Sequence, residues 1–103
     1  MAIQAVLRLP PHWDLAAMPG AMEQQLELLG RLVAQNEKSD TIAVDLSAVE
    51  RFDSCGLAAL LELHRHAQHH HHKLHWLALS ENLQELARIY GVSNCFAESI
   101  VNA

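Results

Sequence analysis

Apolar residues in this chain come in two kinds of run, short continuous ones and longer ones spaced by three and four. Ala5-Val6-Leu7-Arg8-Leu9 is a short apolar run with one charge, which predicts a strand. Pro10-Pro11 stops it, because neither proline nitrogen can donate to a sheet and each ring restricts the residue before it. His12-Trp13-Asp14-Leu15 reads as a connector or as a second short strand. From Pro19-Gly20 to about Gln35 the spacing changes: Met22, Leu26, Leu29 and Val33 share one helical face. Glu23, Gln24, Glu27, Arg31 and Gln35 fall mostly on the other. Gly30 lowers helix propensity by about 1 kcal/mol against alanine and suggests close packing. Residues 36–40 read as a polar turn.

Thr41-Ile42-Ala43-Val44-Asp45-Leu46 is the clearest strand, and its near-continuous apolar run suits a central strand buried on both faces. A turn over residues 47–51 leads into a second helix starting near Ser54. Leu57, Leu60, Leu61 and His64 line one face of it, and it frays into Gln68 and a histidine run. Residues 74–79 predict another strand. Ser80 then caps a third helix through Leu83, Leu86, Ala87 and Tyr90, with Glu81 in its first turn and Gly91 ending it. Residues 99–101 could add a helical turn. Strands alternating with helices favour parallel pairing. The expected fold is a single α/β domain over residues 1–103, a mixed, mostly parallel sheet of about four strands with helices packed on it.

Length and charge narrow the function. At 103 residues the chain can build one core. Half its residues are apolar, 18% are charged, and the formal net charge is -5. No clustered basic face suggests nucleic-acid binding. Trp13, Trp76 and Tyr90 have no basic residues interleaved with them and read as packing. No stretch has the roughly 20 apolar residues that a membrane-spanning helix needs. The first nine residues lack the basic start of an export signal. Cys55 and Cys95 form neither a disulfide framework nor a metal motif. A cytoplasmic protein that meets a membrane only through a partner is expected.

Candidate chemistry gathers at the second helix's start. Asp53 or Ser54 is its N-cap, satisfying a free N–H of the first turn. The Ser54 hydroxyl is alternatively a phosphorylation site or a docking point, since a helix N-terminus favours anions. Asp53 would repel a phosphate there, which would make modification a switch. Gly56, with no side chain, would leave the first turn open to a partner's backbone. Cys55 is either a small half-buried residue or a thiol sensitised by the helix end. Asp45 and Asp53 could together hold Mg²⁺ at a sheet's carboxyl end. There is, however, no glycine-rich phosphate loop, no nucleophile elbow and no catalytic constellation, so no enzyme activity, cofactor or small-molecule substrate is expected. His69 to His72, flanked by His66 and His75, reads as a flexible polar loop, with loose metal binding or acid sensing as the rival readings. No defined metal site is expected.

Residues 42–49, read with Phe52-Asp53-Ser54-Cys55-Gly56-Leu57, resemble the signature of the STAS domain family: a strand ending in Asp-Leu-Ser, a short turn, then Asp-Ser-small-Gly-Leu opening a helix. The resemblance is best over residues 41–96. Within the family, residues 56–63 and 86–92 are most similar to the stand-alone STAS subunit of the bacterial ABC system that maintains outer-membrane lipid asymmetry by moving phospholipids. That similarity implies a non-enzymatic subunit bound to the transporter's cytoplasmic ATPase. It puts Ser54 at the phosphorylatable or partner-contacting position, surrounded by Arg51, Asp53, Cys55 and Gly56, with Glu62 and Arg65 as rim charges further along the helix. The family also implies an alternative, an anti-sigma factor antagonist acting as a serine phospho-switch. That group usually carries a Gly-Glu-Leu-Asp turn after the first strand, where here only Asp14 fits.

Overall fold

The fold is laid down by the strand Thr41–Asp45 (β3), whose three middle residues, Ile42, Ala43 and Val44, are fully buried. In the computed structural model, which describes residues 5–35 and 41–96, β3 is the centre of a three-stranded sheet. Val6–Arg8 (β1) lies on one side and Lys73–Leu77 (β5) on the other, both parallel to it. The register stacks Leu7, Val44 and Trp76 in one row and Ile42 beside Leu74 in the next. All five are buried, so these rows form the sheet's core face. The opposite face carries Val6, Ala43 and His75, then Arg8, Asp45 and Leu77. Val6 and Arg8 are exposed there and His75 is half-buried. The alternation in β1 follows from its edge position, whereas β3 is covered on both sides, as its unbroken apolar run requires.

A second, smaller pair lies apart from this sheet. His12–Trp13 (β2) pairs in parallel with Arg51–Phe52 (β4). Among the described residues the strands therefore number five in two sheets, all pairings parallel, and the region around Trp13 is a strand rather than a connector. Trp13 is fully buried.

Among the described residues, three α-helices pack with the sheets: Gly20–Gln35 (α1), Ser54–His69 (α2) and Glu81–Ile89 (α3). α2 is central, packing on both α1 and α3 as well as on β5. Its buried side is Leu57, Leu60, Leu63 and Ala67, with Gly56 and Ala59 filling the gaps. In α1, Leu29 is buried, while Met22, Leu26 and Val33 pack half-buried against the core, as the spacing predicts. α3 ends in a Schellman motif: Gly91, at φ 73°, donates to the Arg88 carbonyl and Val92 donates to that of Ala87. Tyr90 differs from expectation. It caps α3 and is 57% exposed, because the helix stops one residue before it.

The histidine run is not a flexible loop. His71 donates to the Gln68 carbonyl and His72 to that of Ala67, the same Schellman closure as in α3, with His71 at φ 63° where glycine is usual. His72 is buried, with its Nδ1 2.9 Å from the His70 carbonyl oxygen. The run is the ordered C-terminal stop of α2 and the entry to β5. The expected turn at residues 36–40 and the helical turn at 99–101 lie outside the described residues.

Candidate functional site: the corner at the start of α2

The corner begins at Asp45, the last residue of β3. Its carboxylate accepts the Ser47 N–H at 2.9 Å and stands 3.8 Å from the Arg8 guanidinium. These contacts turn the chain off the sheet. The Ser47 backbone and hydroxyl, and to a lesser degree Arg8, hold the Asp45 carboxyl below the usual carboxylate range. This gives the Asp-Leu-Ser ending a physical meaning: the acid folds the strand end over.

The chain then passes through β4 to Asp53, which is the N-cap of α2. One carboxylate oxygen accepts the Gly56 N–H at 2.9 Å. The other accepts the Leu15 N–H at 3.0 Å, tying the helix to the 3₁₀ turn Leu15–Ala17. The Leu15 N–H first, and then that of Gly56, lower the Asp53 pKa. Both oxygens are thus engaged within the domain, as are those of Asp45, so each acid has a structural task. Among the described residues, no group of three or more His, Cys, Asp and Glu is placed to enclose a metal ion.

With Asp53 capping, Ser54 becomes the first helical residue, exposed, and its hydroxyl makes no side-chain hydrogen bond among the described residues. It stands on the wall of an open groove of about 640 Å³. Leu46, Val49 and Phe52 also line it, and Ser80, Asn82, Leu86 and Tyr90 come from α3 and its approach. The groove lies off the carboxyl ends of β3 and β5, where parallel α/β sheets gather their binding loops. Ala78, on its edge, holds φ 59°, a left-handed conformation that costs an L-residue about 1–2 kcal/mol. The lining offers hydroxyls, an amide, carboxylates and apolar surface. It contains no imidazole or amine.

The other residues singled out from the sequence are dispersed. Gly56 faces inward: a Cβ there would stand 2.1 Å from the Trp13 carbonyl oxygen and 3.1 Å from the Phe52 ring. Its carbonyl accepts the Trp13 Nε1–H at 3.0 Å. Its missing side chain therefore makes room for Trp13, not for a partner. Cys55 is half-buried and Arg51 exposed, and neither lines the groove. Glu62 and Arg65 pair with each other at 3.2 Å and line a separate hollow with His66 and His69. They lie about 12 and 16 Å along the helix axis from Ser54. Even so, Ser54, Ala58, Glu62 and Arg65 follow one another at spacings of four, four and three, and all are exposed. They form one strip along the outer side of α2. The second wall of the groove, from Ala78 to Tyr90, was not foreseen. Its sequence signal is positional, since the loop after β5 must emerge beside the loop after β3.

Fold and site together define a small parallel α/β domain that presents a capped helix start to solvent. The family model described as Mlab, STAS domain, matches residues 4–101, and the chain belongs to the STAS domain family. No curated protein matches it. Among the described residues, no helix is long and apolar enough to cross a membrane.

Proposed function

We propose that the chain is a non-enzymatic regulatory or assembly subunit that docks on the cytoplasmic ATPase of a phospholipid-transporting ABC complex maintaining outer-membrane lipid asymmetry. The observation that carries this reading is Ser54: exposed in the first turn of α2 and lining an open groove. Family membership supports a regulatory or assembly role. The likeness of residues 56–63 and 86–92 to the stand-alone subunit favours the transport system. Ala58, one turn beyond Ser54, is small and exposed, so a partner backbone can approach α2 closely there.

Docking of this kind works by mass action. A domain that binds only the folded, assembled ATPase stabilises that state, by about 2.7 kcal/mol at a hundredfold excess over Kd. The subunit sits on the cytoplasmic side and reaches the membrane through its partner, without cofactor or small-molecule substrate. The test is co-purification of the untagged protein from native cells under mild lysis. An ABC ATPase should accompany it, and Ser54→Arg should release that ATPase. A chain that migrates alone would overturn the reading.

The unpaired Ser54 hydroxyl at a helix start also suits a second reading, an anti-sigma factor antagonist whose phosphorylation breaks a complex. Intact mass of protein from stressed and unstressed cells decides it: a phosphate on Ser54 supports the switch, and its consistent absence removes it.

A further inference from the structure

The last turns of α2 carry a feature that the docking corner does not use. His66 and His70 are one helical turn apart, and their ring centroids are 4.9 Å apart with the planes tilted by 57°. Residues four apart on a helix are surface neighbours. With metal–nitrogen bonds of about 2.0–2.1 Å, two imidazoles on adjacent positions of one ion have centroids roughly 4.5–5.2 Å apart. The separation found lies within that range. The rings also stand at the carboxyl end of α2, where the helix dipole favours a cation.

We propose that His66 and His70 form a two-imidazole chelate for a divalent transition-metal ion such as nickel, copper or zinc at the carboxyl end of α2. Imidazole pairs suit these ions above calcium or magnesium, which take oxygen ligands. Solvent completes the coordination, because no group of three or more ligating side chains encloses an ion among the described residues. Glu62, one turn before His66, is held by Arg65 at 3.2 Å. Those two supply opposite charges beside the site and neither occupies it. His69 meets His70 edge-on, at 5.5 Å and 88°. Three residues from His66 and lining the same hollow, it neighbours the pair, and its ring contact shown is with His70. The ordered stop made by His71 and His72 holds His70 in place relative to His66. An ion bridging the two would clamp the final turn of α2 at the entry to β5.

The test separates a built chelate from a histidine run that binds metal like an unstructured tag. NiCl₂ is titrated by calorimetry near neutral pH into protein purified without an affinity tag. His66→Gln lies outside the run of four and should weaken binding about tenfold or more, because chelation raises the effective concentration of the second ligand. His71→Gly removes an imidazole from the run while easing the positive φ, and should bind nickel like the wild type. Nickel should raise the thermal midpoint of the wild type and of His71→Gly but not of His66→Gln. If His66→Gln does not fold, the exposed His70→Gln makes the same test. Undiminished affinity in His66→Gln, or an equal loss in His71→Gly, would overturn the chelate and assign the metal to the run as a whole.

Discussion

Asp53 has one side chain and two structural tasks, capping α2 and anchoring the Leu15 turn. Asp53→Ala should cost about 1–2 kcal/mol, since cap losses alone reach that size. Its acid dependence has a definite sign. The folded-state pKa lies below the ordinary carboxylate value, so the unfolded chain takes up the proton first as pH falls. The stabilisation is complete above the ordinary value and is lost as pH drops through the folded-state one. Asp53→Asn keeps a capping side chain but cannot titrate. Its thermal midpoint should therefore fall less than the wild type's between pH 5 and pH 3. Asp45 contributes with the same sign through Ser47 and Arg8, so the doubly substituted protein should have the flattest acid limb. Gly56 makes the opposite kind of demand. A methyl group 2.1 Å from a backbone oxygen cannot be absorbed by a rotamer change, so Gly56→Ala should destabilise by about 1–3 kcal/mol through overpacking. Chemical denaturation would measure it, and an unchanged midpoint would mean that Trp13 is not fixed as described.

The same residues show which elements could be read from sequence and which could not. β3 and the three helices were legible because each carries many apolar positions at one period, and the turn at Asp45 because its residue types fit only a strand end. The β2–β4 pair was only half visible. Two residues give no period, and their partner lies about forty residues away, so nothing local announces the pairing. Within the candidate site, Ser54 was legible as a helix start, whereas the roles of Gly56 and Tyr90 were not. A glycine near a helix start signals close approach without saying by what. Tyr90 kept the spacing of Leu83 and Leu86, but the helix stopped before the face was complete. The histidine run misled because polarity suggests a loop, while the carbonyls at the end of α2 still needed donors. His71 supplies one in a left-handed conformation that strains an L-residue. His71→Gly should therefore stabilise the protein, by roughly 0.5–1 kcal/mol after the greater freedom of glycine in the unfolded chain is counted. A lower thermal midpoint for this variant would show that the imidazole makes a contact worth more than the strain.

If the molecule docks as proposed, the decisive matter is where along α2 the docking energy is concentrated. Ser54 and Ala58 lie at the groove end of the exposed strip; Glu62 and Arg65 lie at the histidine end and already satisfy each other. An exposed pair of this kind contributes about 0–1 kcal/mol, whereas a contact at the centre of an interface can carry 2 kcal/mol or more. Ser54→Arg and Ala58→Arg should each weaken ATPase binding by roughly thirtyfold or more, because a long charged side chain must be buried or displaced there. Glu62→Ala and Arg65→Ala should each weaken it by no more than about fivefold. All four positions are exposed and none fills the core, so the thermal midpoint of the isolated domain should change little in any of them. Surface-immobilised ATPase and the purified variants give the affinities directly. If the Glu62 and Arg65 variants lost more affinity than those at Ser54 and Ala58, the centre of docking would move to the carboxyl half of α2. Ser54 would then stand outside the contact, free for modification while the complex is intact, which is the arrangement a phospho-switch cannot use.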